Sequence, residues 1–257
     1  MTEFTGAADR DKTLALLWRE QLGEPLGARG PKQRLSVDEI VDAAIALADD
    51  DGVEAISMRR IAEKLGIGAM SLYTYVDSKS ALIDLMVDRI TAQIARPPFG
   101  DLPWRARLES IARNALDHYL AHPWVLQIDL SRPPIGPGVS DNYEYQLNAV
   151  EGIGLNDLEM DAVITLLGRY VESTARANIN ADRAAAASGQ SDTQWWGANL
   201  PVLDAVMEGD RFPVSGRVGT AAGMEYQSLA SPDHGFEFGL GVVLDGVEGL
   251  VRRASRD

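Results

Sequence analysis

Three observations predict an all-α fold. Apolar residues recur at three- and four-residue spacing along most of the chain, strict alternation over a strand length is absent, and clear helix caps punctuate the pattern. The densest signal lies in Ser57–Val76, SMRRIAEKLGIGAMSLYTYV, where two short helical patterns meet at a Gly66-Ile67 corner too tight for a loop. That is the spacing of a helix-turn-helix, whose second helix reads base edges in the major groove of DNA.

The elements follow in order. Asp11–Leu22 reads as an amphipathic helix with Leu14, Leu17, Trp18 and Leu22 as its stripe. Arg29-Gly-Pro-Lys-Gln-Arg34 then carries three positive charges and no acid, which suits a flexible basic arm. Ser36 caps the next helix, Glu39 completes a capping box, and Leu35 with Ile40 forms a hydrophobic staple. Ile40, Ala44, Leu47 and Ala48 share one face of this helix, which stops before Gly52. Ser57 caps a second helix with Ile61 and Leu65 inward, a third begins near Gly68, and Asp77 or Ser78 caps a fourth carrying Leu82, Leu85, Met86 and Ile90. Arg96-Pro-Pro-Phe-Gly100 breaks the pattern. The expected organisation is therefore an N-terminal helix and arm over 1–34, a DNA-binding domain over 35–96, and a further helical domain over 97–257, to which the family resemblance described below assigns ligand binding and dimerisation.

Beyond Pro97, strong helices carry Trp104, Leu108, Ile111, Ala115 and Tyr119; then Met160 to Thr174 behind the cap Asn156 with Glu159; then Leu240, Val243, Leu244, Val247 and Val251 between His234 and Ala254. Weaker helical segments cover Asn142–Gly152 and Asp192–Met207, and the Gly-, Ser-, Pro- and Ala-rich stretch from Gly209 to Gly235 reads as a mobile loop.

Within the third helix, Ala69, Leu72 and Val76 form the buried seam, which turns Ser71, Thr74 and Tyr75 outward with Met70 and Tyr73 flanking. Hydroxyls there can bond base edges or phosphates, and a threonine methyl can meet a thymine methyl. Arg59 can reach guanine or a phosphate, or pair with Glu63 one turn on. Lys79 and the amides opening the fourth helix make a phosphate clamp.

The 257 residues include 24 Lys+Arg against 38 Asp+Glu, a net charge of −14, whereas a DNA-binding domain is usually basic. Acids cluster in and after the first helix of the module (Asp38, Glu39, Asp42, Asp49, Asp50, Asp51, Glu54), while Arg59, Arg60, Lys64 and Lys79 belong to the turn and its flanks. Net acidity weakens non-specific affinity without excluding a specific contact. With Cys at 0, disulfides, thiolate metal sites and cysteine nucleophiles are excluded. No apolar run reaches the roughly 18 residues of a membrane span, and the start lacks a basic-then-apolar signal pattern, so a cytoplasmic location without membrane contact is expected.

LSVDEIVDAAIALADDDGVEAISMRRIAEKLGIGAMSLYTYVDSKSALIDLMVD, from Leu35 to about Asp88, resembles the DNA-binding domain of the tetracycline-repressor (TetR) family. LPVLDAVMEGD and the final helix resemble that family's regulatory domain. The resemblance implies an all-helical homodimer that holds a palindromic double-stranded operator and releases it on binding a small-molecule inducer. It also implies DNA contacts at Arg59, Ser71, Tyr73, Thr74, Tyr75 and Lys79, a minor-groove or plain linker role for Arg29–Arg34, and a dimer bundle built from Asn156–Ala187 and His234–Ala254.

Ligand contacts are expected among Trp104, Asn114, His118, Trp124, Tyr143, Arg169, Tyr170 and Trp195, with Tyr119, Glu172 and Trp196 nearby in the pattern. Core packing is the competing role for each aromatic. Asn114 and His118 fall where tetracycline repressors place ligand contacts, but no histidine near Gln127–Leu130 matches their metal ligand, which argues against a tetracycline–magnesium inducer. His118 and His122 share a helix face without the HExxH glutamate, and no GxSxG, P-loop or GxGxxG motif is present. Neither a cofactor, a metal nor an enzymatic activity is expected. The rival reading is a small-molecule binding protein or enzyme whose helix-turn-helix is only a packing element.

Overall fold

A computed structural model describes residues 3–22, 35–207, 211–226 and 232–254. The chain forms two compact units, Met1–Ile164 and Thr165–Asp257, divided within one long helix. The basic arm, Arg29–Arg34, lies outside the described residues.

The first unit begins with β1 (Glu3–Phe4), α1 (Arg10–Leu17) and α2 (Arg19–Leu22). The expected single helix over Asp11–Leu22 is thus broken at Trp18, whose indole N–H turns to the Ile135 carbonyl at 2.8 Å; Leu17 is buried while Leu22 is exposed. Next come α3 (Val37–Asp51), a 3-10 turn at Val53–Ala55, α4 (Met58–Lys64), α5 (Ala69–Leu72) and α6 (Lys79–Ala92). The Ser36 box forms in full: its hydroxyl accepts from the Glu39 amide at 3.1 Å, and Glu39 accepts from the Ser36 amide at 2.7 Å. Ser57 and Ser78 cap α4 and α6. Ile40, Ala44, Leu47 and Ala48 are buried on α3, as the apolar spacing predicts.

Then follow α7 (Trp104–Ala121), a 3-10 turn at Pro123–Gln127, β2 (Ile128–Asp129), α8 (Pro137–Asn148) and α9 (Asp157–Ser188), which opens on a capping box between Asn156 and Glu159. The parallel pairing of β1 with β2, Glu3 opposite Ile128 and Phe4 opposite Asp129, is too short to leave an alternating pattern in sequence.

Helix α6 is the axis of this unit. Its apolar residues from Ala81 to Ile90 are buried, and so are two carboxylates, Asp84 and Asp88. Asp84 accepts from the Gly6 amide at 2.9 Å. Asp88 accepts from Val139 at 2.9 Å and Gly138 at 3.2 Å, capping α8 from a neighbouring helix. Burial pushes both carboxyls up, against the pull of those amides.

The second unit comprises the remainder of α9, α10 (Asp192–Met207), α11 (Pro213–Tyr226) and α12 (Pro232–Ala254). Helix α11 corrects the expected loop from Gly209 to Gly235. Gly216, Gly219 and Gly223 depress intrinsic propensity there, but packing recovers the helix: a Cβ on Gly223 would fall 2.6 Å from the Trp196 ring of α10. Leu240, Leu244 and Val247 are buried on α12, the face the spacing predicts, and Tyr170 of α9 bonds the Gly235 and Phe236 carbonyls at 3.0 and 2.7 Å.

A Cβ on Gly138 would sit 2.2 Å from the Asp88 carbonyl oxygen, a backbone collision that no rotamer relieves. Gly138→Ala is therefore expected to lower unfolding free energy by about 1–3 kcal/mol, measured by denaturant titration.

Candidate nucleic-acid interface

The turn between α4 and α5 is built as a helix stop. Gly66 has φ 67°, its amide donates to Glu63 at 3.2 Å, and the Ile67 amide donates to Ala62 at 3.0 Å. This pair of bonds closes α4 with a left-handed residue that glycine supplies at little cost. Leu72 and Val76 are fully buried, and the chain after α5 tightens into turns from Ser71 to Thr74 and from Leu72 to Tyr75.

This seam leaves Ser71, Tyr73 and Thr74 exposed beside Met70. The Thr74 hydroxyl donates to the Ser71 carbonyl at 2.7 Å, which orients its methyl and its remaining lone pairs. Tyr75 differs from its three neighbours, because its ring is half-buried against the core. Arg59 projects into solvent and pairs with Glu63 at 2.8 Å, the bond that raises its pKa. Lys79, first residue of α6, does not stand open: its ammonium meets Glu3 at 2.7 Å. Arg60 is held by Asp51 at 2.6 Å.

The ligand candidates fall in both units. In the first, Trp104 is half-buried on α7, Asn114 donates to the Ala95 carbonyl at 3.0 Å, and Tyr143 donates to Asp161 at 2.8 Å. Trp124 is 1% exposed, a core residue whose indole donates to Asp49 at 2.6 Å. Asp49 also receives His122 Nδ1 at 2.8 Å, and the His122 ring meets His118 edge-on at 5.2 Å. In the second unit Arg169 is exposed, Tyr170 is committed to α12, and Trp195 is 43% exposed. A cavity of about 590 Å³ lies between α10 and α11, walled by Trp196, Leu200, Leu203 and Met224 over a glycine-rich floor; Trp196 lines it and Trp195 does not. Among the described residues no cluster of three metal-ligating side chains forms.

Spacing did not reveal Glu3, Asp49, Asp84 and Asp88, because their partners lie far along the chain. The two acids set four apart in the apolar run of α6 were the one available signal.

An exposed hydroxyl face behind a helix-stop turn, with cations at its edges, defines a helix-turn-helix DNA-binding protein. Residues 40–86 match the family model of bacterial regulatory proteins of the tetR family, and residues 96–251 match the tetracyclin repressor-like C-terminal domain. The chain belongs to the TetR family and is a transcriptional repressor. It is 40% identical over 251 residues to the HTH-type transcriptional repressor DrrR1 of Streptomyces coeruleorubidus, covering 97% of this chain and 90% of that one. It is 25% identical to the class A tetracycline repressor of transposon 1721 from Escherichia coli, covering 83% of this chain and 91% of the relative. ActR of Streptomyces coelicolor, solved in complex with actinorhodin, superposes with a TM-score of 0.68 at 26% identity, covering 83% of this chain and 95% of ActR. Regulators of this family bind DNA operators and small-molecule ligands. No helix among the described residues is long and apolar enough to cross a membrane.

Burial, then the nearby His122, pulls His118 from 6.5 down to about 4, with Asp49 opposing. The unfolded chain therefore takes up a proton near pH 6.5 that the folded chain refuses until about pH 4, and stability falls as pH drops through that window. His118→Gln is expected to remove up to about 3 kcal/mol of this acid sensitivity, measured as the difference between unfolding curves at pH 7 and 4.5.

Proposed function

We propose that two copies of this chain hold a palindromic operator, each laying α5 into a major groove, and that a small organic inducer lowers operator affinity. The observation that carries the reading is the exposed Ser71, Tyr73 and Thr74 face over a fully buried Leu72–Val76 seam. Arg59, Ser71, Tyr73, Thr74 and Tyr75 contact bases and phosphates in this scheme, and Lys79 with the first amides of α6 takes a phosphate. The working organisation is an N-terminal helix and arm over 1–34, a DNA-binding domain over 35–96 and a regulatory domain over 97–257, acting on cytoplasmic DNA without turnover.

Dimerisation is supported by apolar side chains that one copy leaves uncovered: Leu166 on α9, and Phe238 and Val242 on α12, are more than half exposed. Gly239 is needed within the chain, since a Cβ there would strike the Tyr170 ring at 2.6 Å. Gly235, Gly241, Gly246 and Gly249 face open space instead, which leaves room for a helix from a second copy to approach.

For the inducer we propose contacts from Trp104, Asn114 and His118 on α7 and Tyr143 on α8, all partly accessible and polar enough to orient a ligand. ActR is 26% identical and was solved with actinorhodin and with (S)-DNPA, which supports an organic ligand here. Trp124 and Tyr170, whose polar atoms are spent on Asp49 and α12, are assigned to packing. The signal runs through α6: a ligand that shifts α8 moves Asp88, and a buried helix carries that shift toward Lys79 as a rigid rod. It acts only to the extent that the ligand binds the two arrangements with different affinity.

The test is selection of a duplex from random DNA, followed by titration against salt. A palindromic winner bound two copies to one duplex, with affinity falling steeply as salt rises, is the expected result. Tyr73→Ala and Thr74→Ala should each weaken that duplex by about 1–3 kcal/mol while sedimentation still reports a dimer. Failure to enrich any sequence from a folded, ligand-free protein would overturn the reading.

A further inference from the structure

The clamp residue Lys79 already has an anion. Glu3 Oε1 lies 2.7 Å from its ammonium, both side chains are less than one-third exposed, and the pair sits at the first residue of α6. Glu3 is no loose tail. It belongs to β1, paired with β2; the Thr5 hydroxyl lies 2.7 Å from the Arg132 carbonyl, and the Gly6 amide donates to Asp84. A few residues on, Lys12 pairs with Asp77 at 3.2 Å, one residue before the Ser78 cap of α6.

We propose that Glu3 is a built-in competitor for the operator: in the DNA-free protein its carboxylate holds the Lys79 ammonium, and an operator phosphate must displace it. The inference rests on Lys79 being a phosphate contact. Carboxylate and phosphate seek the same cation and the same positive helix end, so each excludes the other. A displaced Glu3 left beside the arriving phosphate also repels it. The segment returns readily because the rest of it stays tied: β1 to β2, Gly6 to Asp84, and Trp18 to the Ile135 carbonyl at 2.8 Å. Glu3 thereby sets how tightly the full chain holds DNA, and it is anchored to the 128–135 segment rather than to the recognition helix.

The experiment is a double-mutant cycle on the full chain, using the duplex selected from random DNA. Glu3→Gln is expected to tighten binding about two- to fivefold, the range of a partly exposed ion pair. Lys79→Ala should weaken binding at least fivefold, and Glu3→Gln added to it should bring little further gain. Glu3→Asp, which keeps the charge but shortens the reach, should also tighten binding and guards against a Glu3→Gln variant that folds poorly. Asp11→Asn, the same charge change at an exposed site in α1, should leave affinity unchanged. Glu3→Gln without effect while Lys79→Ala weakens binding would overturn the competitor. An equal gain with and without Lys79 would overturn it too, as general electrostatics. If Lys79→Ala leaves affinity intact, the phosphate-contact reading of Lys79 fails instead, and the competitor falls with it.

Discussion

Everything in the first unit depends on how the two carboxylates of α6 are satisfied. A buried charge without partners costs several kcal/mol, so Asp84 and Asp88 must draw donors from outside their own helix. The donors they find are backbone amides: Gly6 for Asp84, Gly138 and Val139 for Asp88. Side chains can rotate away, but amides are fixed to the chain that carries them. The N-terminal segment and the start of α8 are therefore pinned to one helix at two points separated by one turn. Small residues make the approach possible. Cβ atoms on Gly136 and Gly138 would fall within 2.4 Å of Asp88 atoms, so the α8 start can come this close only as glycine.

That arrangement explains which parts of the fold were legible in sequence. The caps at Ser36, Ser57, Ser78 and Asn156 and the Gly66 stop follow from local chemistry, since each cap bonds within three residues. The break at Trp18, the β1–β2 pairing and helix α11 were not legible, because each is decided by a distant partner: Ile135, Ile128–Asp129 and Trp196. Glycine content misled at α11, where packing outweighs a propensity deficit of up to ~1 kcal/mol per residue.

The exposed Ser71, Tyr73 and Thr74 face over its buried seam was legible in sequence and the proposed ligand region was not, for a physical reason. A recognition helix declares itself through the contrast between a buried seam and exposed hydroxyls, and Leu72 with Val76 sets that contrast within five residues. A ligand region assembled from several helices has no such local signature. Aromatic residues suit a pocket and a core equally well, and Trp124, with its indole on Asp49, is the core case.

The net charge of −14 takes on a different meaning once the ion pairs are known. Arg59, Arg60 and Lys79 each face a carboxylate of the same chain: Glu63, Asp51 and Glu3. A phosphate can recruit such a cation only by exchanging for its internal partner, so each contact returns less than a bare charge would. Non-specific DNA, which offers phosphates alone, gains least from the exchange. In the proposed scheme, a sequence that also fits the Ser71, Tyr73 and Thr74 face adds base contacts to those phosphates. Pairing cations with acids thus lowers the phosphate contribution for every sequence alike, which leaves base contacts a larger share of the binding free energy that remains. A chain whose cations near the exposed Ser71, Tyr73 and Thr74 face are paired with its own acids depends on base contacts for a larger part of its binding, at the expense of absolute affinity.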